Sequence, residues 1–399
     1  MRNLRGQEPL TGTERLARAR GWLSEQGAAA LSEQIELGRI PAPPFREGER
    51  ARAIAAKLES MGARPEFDDV GNLLAWFPVG SGSTGSPPVI IAAHIDTVFG
   101  PETPIEINRI GHRWVGPGTT DNARGLAVTL AVLRALMRGG FEPRHPILFA
   151  YTVGEEGRGD LRGVKHLFSD GSPLRSATAF IAVDGAGIRR IIHHALGSRR
   201  FRVTARGAGG HSWTDWGRSN PANVIGELIH LLSDLPLPEK PRTTLTVARL
   251  GGGTSINAIP AESWVELDLR SGADESLRST ERAVRDALRV SVAAEEARGE
   301  GSLAIDIEVI GERPAGKLPV SHSLVQAARE STLSLGEEPQ YAISSTDANV
   351  PLALGIPAIA IGGGGRSGDT HTENEWFEDT DGAVGLLRLL SLIASVAGL

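Results

Sequence analysis

The chain has 399 residues, of which 40% are hydrophobic and 23% charged, so its length and composition fit a globular protein of two or three domains, or one large domain with an insertion. Its 42 Lys and Arg residues and 48 Asp and Glu residues give a net charge of −6, which argues against a general nucleic-acid binder because such proteins need a cationic face. The chain contains no cysteine, so disulfides, thiolate metal sites and cysteine nucleophiles are excluded, and any metal must be held by His, Asp and Glu.

No stretch of the sequence approaches the ~20 consecutive apolar residues of a membrane-spanning helix. Residues 1–27 are charged and polar and lack the apolar centre of a signal peptide. The most apolar stretch, residues 386–399, is short and broken by Arg388, and we interpret it as a terminal core helix rather than a membrane-surface helix. We therefore expect a cytoplasmic protein with neither a membrane nor a nucleic acid as partner.

The first third of the chain alternates helix and strand patterns. Residues 47–61 and 121–137 place apolar side chains at helical spacing. Three short, continuous apolar runs have the pattern of strands buried on both faces: residues 87–93, 146–153 and 179–183. Strands that alternate with helices predict an α/β fold, with a mostly parallel sheet and helices on both of its faces.

The middle of the chain has a different pattern, with the order β-α-β-β-α-β that is typical of a ferredoxin-like α+β unit. Its predicted elements are strand 200–206, helix 221–235, strands 243–250 and 263–270, helix 274–298 and strand 303–310. After residue 319 the first pattern returns, with helix 323–335, strand 356–361 and a helix from Thr380. We therefore predict an α/β domain formed by residues 1–195 and 313–399, with a second domain inserted at residues 196–312.

Metal-binding residue types lie where the predicted buried strands end or where a helix begins. Seven residues have this placement: His94, Asp96, Asp121, Glu155, Glu156, Asp184 and His371. Each alone is explained as a helix cap or a satisfied polar group, and Asp121 in particular as an N-cap. Together they favour a metal site, because open α/β sheets bind small molecules and ions at the carboxyl ends of their strands. Five of the seven, namely two histidines and three acidic residues, are the candidate ligands, and Asp96 and Glu155 are additional to them. Five ligands with one shared carboxylate predict two divalent cations about 3.5–4 Å apart. Such nitrogen and oxygen ligands suit Zn²⁺, with Co²⁺ or Mn²⁺ as alternatives.

The motifs that contain these residues resemble those of the M20 metallopeptidases, a family that includes exopeptidases, desuccinylases and deacetylases. The resemblance covers nearly the whole chain, and its motifs are HID at 94–96, GPGTTDN at 116–122, GEE at 154–156, Asp184, GGHS at 209–212, NAIP at 257–260, DLR at 268–270 and DTH at 369–371. It implies a dinuclear metal hydrolase whose inserted domain is a lid and a dimerisation domain.

The resemblance also implies a role for each residue of the predicted metal site. Asp121 bridges two metals, His94 and Asp184 complete one site, and Glu156 and His371 complete the other. Glu155 is the general base that acts on a metal-bridging water. Asp96 orients His94 and fixes its tautomer.

Further implied roles belong to the inserted domain and to the backbone. His211 polarises the scissile carbonyl, and Asn257 and Arg270 hold a carboxylate of the substrate. The peptide bond between Asp121 and Asn122 is expected to be cis.

Several functions are compatible with this site. We predict cleavage of an amide bond in a small peptide by an exopeptidase of aminopeptidase or dipeptidase type, because the resemblance associates Asp at position 184 with aminopeptidases. An N-acyl-amino-acid deacylase is the alternative substrate class. A non-catalytic binding protein on the same fold is the alternative outside catalysis, and the presence of all seven residues argues against it. Trp213 and Trp216, beside His211, line a specificity pocket or pack at a hinge or interface. We also expect a homodimer that forms through the lid domain.

Overall fold

The computed structural model describes residues 11–399, and for residues 83 and 84 the backbone only. The α-helices are α1 (Gly12–Ser24), α2 (Gly27–Gly38), α3 (Gly48–Ser60), α4 (Ala123–Gly139), α5 (Arg162–Leu167), α6 (Pro221–Ser233), α7 (Asp274–Arg298), α8 (Ser323–Leu333), α9 (Asn349–Ala353) and α10 (Val384–Ala397). The strands are β1 (Pro65–Phe67), β2 (Leu73–Phe77), β3 (Val89–His94), β4 (Asn108–Ile110), β5 (Arg113–Val115), β6 (Ile147–Thr152), β7 (Ala179–Val183), β8 (Arg190–Ala195), β9 (Gly197–Arg206), β10 (Gly210–His211), β11 (Thr243–Gly252), β12 (Ala258–Ile259), β13 (Glu262–Ser271), β14 (Ala304–Arg313), β15 (Gly316–Lys317), β16 (Gln340–Ser344), β17 (Ala358–Ile361), β18 (Arg366–Gly368) and β19 (Trp376–Glu378). We predicted that residues 1–10 belong to the first domain and to a segment that lacks the apolar centre of a signal peptide. These residues lie outside the described part of the chain.

The chain divides into two compact units. The first unit contains the described residues up to His194 together with Lys317–Leu399, and the second unit is Ala195–Gly316. The second unit is therefore one continuous segment between two parts of the first.

The first unit is built on a sheet with the strand order β1-β2-β6-β3-β7-β17-β8-β15, and β16 also pairs with β8. Strands β6, β3, β7 and β17 run parallel to one another, whereas β2 and β8 join them antiparallel at the two sides. All residues of the four parallel strands are buried, as in a sheet that is covered on both faces. The predicted α/β class with a mostly parallel sheet is confirmed.

Helix α4 packs against β3 and β7 and begins beside the carboxyl ends of these strands. It starts at Ala123, not at Asp121 as the sequence pattern predicted, because Asn122 is the N-cap residue. The Oδ1 atom of Asn122 accepts a hydrogen bond from the backbone N–H of Gly125 at 3.1 Å. Asp121 therefore lies outside the helix, and its carboxylate is not used as a cap.

The last helix, α10, packs against α1, α4 and α8, so the interpretation of residues 386–399 as a core helix is confirmed. Its Arg388 is fully buried among the apolar residues of the helix. Among residues 11–399, no helix is both long enough and apolar enough to cross a membrane.

The second unit is a four-stranded antiparallel sheet with the order β11-β13-β9-β14. Helices α6 and α7 pack against each other and against β9 and β13. The alternation of buried and partly exposed residues along β13 shows that one face of the sheet is covered. The chain order is β9-α6-β11-β13-α7-β14, so the predicted ferredoxin-like unit is confirmed.

Candidate metal centre

The carboxyl ends of three parallel strands place polar side chains side by side at one edge of the large sheet. Strand β3 lies between β6 and β7, and its last residue, His94, is opposite Thr152 of β6. Glu155 and Glu156 follow β6, and Asp184 follows β7 directly. The side chains that the sequence predicted at strand ends therefore reach the edge at which open α/β sheets bind their ligands.

Asp121 reaches this edge through the loop before α4. The side chain of the next residue, Asn122, donates a hydrogen bond to the carbonyl oxygen of Val183 at 2.9 Å and accepts one from the backbone N–H of Gly185 at 3.2 Å. Because these two partners flank Asp184, the start of α4 is tied to the end of β7. The peptide bond between Asp121 and Asn122 is cis, as the resemblance implied.

A second, smaller sheet with the order β18-β19-β5-β4 brings His371 to Asp121. Strand β5 leads into the loop that carries Asp121, β19 follows the loop that carries His371, and the two strands pair antiparallel. Asp369 and His371 have φ angles of 54° and 68°, in the left-handed region that residues other than glycine rarely adopt. Such conformations are typical of functional loops whose geometry is fixed by their surroundings.

The predicted ligands form two groups of three that share Asp121, and the ligand atoms of each group lie within 4.8 Å of one another. In the first group, Nε2 of His94 lies 3.0 Å from Oδ1 of Asp121 and 3.8 Å from Oδ1 of Asp184. In the second group, Nε2 of His371 lies 3.2 Å from Oδ2 of Asp121 and 2.9 Å from Oε1 of Glu156. The two oxygens of one carboxylate thus face two different imidazoles, which is the arrangement of a carboxylate that bridges two cations.

Asp96 fixes the position of the two adjacent glutamates. Its Oδ1 accepts a hydrogen bond from the backbone N–H of Glu155 at 2.9 Å, and its Oδ2 accepts one from that of Glu156 at 2.8 Å. The Asp96 carboxylate also faces His94, with its Oδ1 3.7 Å from Nδ1 of the ring, so its predicted role in orienting His94 stays a prediction. The backbone carbonyl oxygen of Asp96 lies closer to Nδ1, at a hydrogen-bond distance of 3.0 Å.

The electrostatics of the site are dominated by carboxylates. Burial opposes the charged form of His94, but the carboxylates of the surrounding aspartates raise its pKa well above the usual value. Hydrogen bonds to Asp121 and Glu156 raise the pKa of His371 to about 10. Burial favours the neutral form of Asp121, yet the imidazoles of His94 and His371 beside its carboxylate lower its pKa. The imidazoles thus occupy positions at which the carboxylates favour a positive charge.

This donor set fits a pair of divalent cations. Oδ1 of Asp121 is buried and accepts no hydrogen bond of suitable geometry, although His94 lies 3.0 Å away. A buried carboxylate oxygen without such a partner costs free energy unless a cation compensates it. Imidazole nitrogen and carboxylate oxygen are ligands of Zn²⁺, Co²⁺ and Mn²⁺.

Sequence analysis missed two further buried carboxyl groups near the site. Oδ2 of Asp347 accepts a hydrogen bond from the hydroxyl of Thr152 at 2.5 Å, and burial raises the pKa of Asp347 to about 6. Oε1 of Glu375 accepts hydrogen bonds from the backbone N–H groups of Thr120 at 2.7 Å and Asp121 at 2.9 Å, and burial raises the pKa of Glu375 to about 7. Neither residue directly follows a predicted strand. The one signal in the sequence that could have indicated a role in the site was the position of Glu375, four residues after the predicted ligand His371.

The remaining predicted site residues lie in the second unit. Nδ1 of His211 accepts hydrogen bonds from the backbone N–H groups of Trp213 at 3.2 Å and Thr214 at 3.3 Å. This hydrogen bonding assigns the proton of the neutral ring to Nε2, which is then a donor. Trp213 and Trp216 are each 86% exposed, so neither side chain belongs to the core of the unit.

Asn257 and Arg270 lie at different elements of the second unit. Asn257 precedes β12, which pairs with β10 beyond the Glu262 end of β13. Arg270 lies towards the other end of β13, about 26 Å from Glu262 at the usual rise of a strand. Its guanidinium is paired with Asp268 at 2.9 Å. Their predicted role in holding a substrate carboxylate stays a prediction.

The fold and the strand-edge site together define a class of protein, and comparison with known proteins names the family. This fold and this site are those of an α/β hydrolytic enzyme with candidate metal ligands at the carboxyl edge of its sheet. The profile of peptidase family M20/M25/M40 matches residues 90–395, so the chain belongs to this family and the predicted M20 resemblance is confirmed.

Individual relatives show the same likeness. A probable carboxypeptidase from Aspergillus terreus is 30% identical over 262 residues, which cover 61% of this chain and 58% of that protein. The match thus spans about three fifths of the length of such curated relatives. A tripeptidase from Staphylococcus aureus superposes with a TM-score of 0.75 at 22% identity, covering 94% of this chain and 99% of the other. A dinuclear metal-binding M20 peptidase from Bacillus subtilis, YXEP, superposes with a TM-score of 0.68 at 16% identity, covering 93% and 98%. At these identities the structural likeness shows the shared fold.

Proposed function

We propose that this chain is a dinuclear metal-dependent hydrolase that cleaves an amide bond of a small peptide. The observation that carries the proposal is the placement of Asp121, whose two carboxylate oxygens lie 3.0 Å from His94 and 3.2 Å from His371. Membership of peptidase family M20/M25/M40 supports it. So does the fold shared with a peptidase described as dinuclear metal binding.

We assign the two cation positions to the two groups that share Asp121. His94 and Asp184 would complete one position, and Glu156 and His371 the other. We propose Zn²⁺ for both, with Co²⁺ or Mn²⁺ as alternatives, because the donors are imidazole nitrogen and carboxylate oxygen. A bound cation pair supplies activation of water and polarisation of the scissile carbonyl.

Glu155 is the proposed general base. It lies outside both groups that share Asp121, but its carboxylate is within 4.8 Å of ligand atoms of His94 and Glu156. The hydrogen bond from its backbone N–H to Asp96 fixes the main chain beneath it. Glu155 would accept a proton from the attacking water and then deliver it to the leaving amine.

His211 is the proposed electrophilic group of the second unit. Because its Nδ1 accepts two backbone hydrogen bonds, Nε2 carries a proton that it can donate to a developing oxyanion. We further propose that Ala195–Gly316 is the lid and the dimerisation domain of a cytoplasmic homodimer. Asn257 and Arg270 would hold a carboxylate of the substrate.

Within this reaction class we favour an aminopeptidase or dipeptidase, on the basis of Asp184 and the family association of aspartate at this position. The fold shared with a tripeptidase supports a peptide substrate. The relative described as a probable carboxypeptidase supports an exopeptidase but favours cleavage at the other end of the peptide. The alternative substrate class is the N-acyl amino acids, since a deacylase would use the same catalytic groups.

A substrate panel with metal analysis tests the proposal. The purified full-length chain, loaded with Zn²⁺ or Co²⁺, is assayed on free dipeptides and tripeptides and on N-acetyl and N-succinyl amino acids. We expect about two metals per chain and turnover of the free peptides. Turnover of acylated substrates alone would reject the peptidase, and fewer than one metal per chain without turnover would favour a non-catalytic binding protein.

A further inference from the structure

The loops that carry Asp121 and His371 converge although these two residues lie 250 positions apart in the chain. Strands β5 and β19 pair beside both loops, with Val115 opposite Trp376. The loop after β5 starts at Gly116, and the loop that carries His371 ends at Glu375. The pairing of the two strands therefore places Gly116 next to Glu375.

Glu375 contacts both ends of the loop formed by residues 116–121. Its backbone carbonyl oxygen accepts a hydrogen bond from the N–H of Gly116 at 2.8 Å. Its side-chain Oε1 accepts hydrogen bonds from the N–H groups of Thr120 at 2.7 Å and Asp121 at 2.9 Å. The residue is fully buried, so water does not compete for these hydrogen bonds.

Two glycines of this loop add no side-chain contacts that would fix the backbone of Asp121. Gly118 has a φ of 68°, a conformation that favours glycine, and a Cβ at Gly116 would lie 2.1 Å from the carbonyl oxygen of Glu106. Glycine gains no side-chain contacts and loses more conformational entropy on ordering than other residues. Glu375 accepts the hydrogen bond from the backbone N–H of Asp121, and the side chain of the next residue, Asn122, is bonded to Val183.

We propose that Glu375 is a positioning residue for the metal centre, which fixes the backbone of Asp121 so that its two oxygens face His94 and His371. The inference rests on the proposed function, because it takes Asp121 as the bridging ligand. Glu375 is not assigned as a ligand or as a proton donor. Its role depends on the length of its side chain, which allows one oxygen to accept hydrogen bonds from two backbone amides, and less on its charge.

Two substitutions separate reach from charge. Glu375→Asp keeps the carboxylate but shortens the side chain by one methylene, so it cannot reach both amides in the same backbone. Glu375→Gln keeps the length and an acceptor oxygen but removes the charge. Glu373→Asp is the matched control, since Glu373 is an exposed glutamate of the same loop.

The experiment titrates the metal-free full chain and each variant with Co²⁺ and follows the Co²⁺ absorption spectrum against a competing chelator. Positioning residues around metal ligands typically contribute about 10–100-fold to metal affinity. We expect Glu375→Asp to bind Co²⁺ about 10–100-fold more weakly, with an altered spectrum. Glu375→Gln should bind within about threefold of wild type, like Glu373→Asp, because it keeps the acceptor oxygen.

Two results would overturn the inference. If Glu375→Asp binds Co²⁺ as tightly as Glu373→Asp does, the contact to the loop does not position the metal centre. If Glu375→Gln is the weaker binder of the two Glu375 variants, the charge acts and the reach does not. A wild-type chain that takes up no Co²⁺ is a different failure, which rejects the proposed function itself.

Discussion

The two units of the molecule hold their candidate functional residues in different ways. In the first unit, His94 and Glu155 are buried, and hydrogen bonds to residues distant in sequence fix the backbone around Glu155 and Asp121. In the second unit, His211 is exposed, and its hydrogen bonds reach Trp213 and other residues no more than four positions further along the chain. The geometry of the first set therefore depends on contacts between distant parts of its unit, whereas the ring of His211 is oriented by one turn that follows β10.

This difference predicts two kinds of response to substitution. Changes at the first unit's site should alter metal binding, kcat or both, because they disturb ligands or the proposed base. Changes around His211 should mainly alter KM, because the exposed side chains there are available to a substrate and do not support the core.

The largest effect is expected for Glu155→Ala. Loss of a general base costs about 10²–10⁴-fold in rate, so kcat should fall by that factor. Metal content should stay at the wild-type value, because Glu155 is outside the two groups that share Asp121. Steady-state kinetics with metal analysis checks both, and Glu373→Ala is the control. A kcat close to wild type would reject Glu155 as the base.

A pH-dependent stability effect is expected for Asp347→Asn in the metal-free chain. Burial raises the pKa of Asp347 from 3.8 to about 6, so the folded state binds this proton more tightly than the unfolded state does. The favourable contribution is complete below about pH 4 and is lost as the pH rises through 6, which costs about 3 kcal/mol of unfolding free energy at neutral pH. The variant should therefore be more stable than wild type at neutral pH, and this gain should shrink towards pH 4.

Urea unfolding at several pH values measures this effect. Asp170→Asn is the control, because its side chain is 97% exposed and its stability difference should change little with pH. A stability difference for Asp347→Asn that is the same at pH 4 and pH 7 would contradict the assignment of a buried, costly charge to Asp347.

A smaller effect is expected for Asp96→Asn. One carboxylate oxygen becomes an NH₂ group that cannot accept, so the backbone N–H of Glu155 or Glu156 loses its partner. Substitutions of residues that orient metal ligands cost about 10–100-fold, and we expect this loss in Co²⁺ affinity and in kcat. An unchanged Co²⁺ affinity, measured by chelator competition, would show that the hydrogen bonds from Asp96 do not position the glutamates.

The smallest effect is expected in the second unit, for Trp213→Ala and Trp216→Ala. Both side chains are 86% exposed, so unfolding free energy should change by less than about 0.5 kcal/mol. If they contact the substrate, KM should rise about twofold to tenfold, the range of an aromatic contact, with kcat and metal content unchanged. A fall in kcat as large as that of Asp96→Asn would remove the distinction between the two units.

The sequence predicted best what continuous apolar runs determine. Strands β3, β6 and β7 are short, fully buried and parallel, so their sequences are unmistakable and their carboxyl ends locate His94, Glu156 and Asp184. The meeting of these side chains follows from the topology of a parallel sheet. In the second unit, the alternating pattern predicted the strands because one face of their sheet is covered.

The sequence could not predict contacts that depend on short or irregular elements. Strands β5 and β19 have three residues each and show no periodicity, although they bring His371 to Asp121. Glu375 and Asp347 act on partners more than 190 positions away, which no local pattern reveals. The choice of Asn122 over Asp121 as N-cap is a matter of backbone geometry, since both residue types are good caps.

The most direct test of the central claim is anomalous diffraction at the zinc edge from crystals of the full chain grown with Zn²⁺. We predict two peaks about 3.5–4 Å apart, one on each side of the Asp121 carboxylate, towards His94 and towards His371. A single peak, or peaks that do not contact Asp121, would contradict a shared bridging carboxylate.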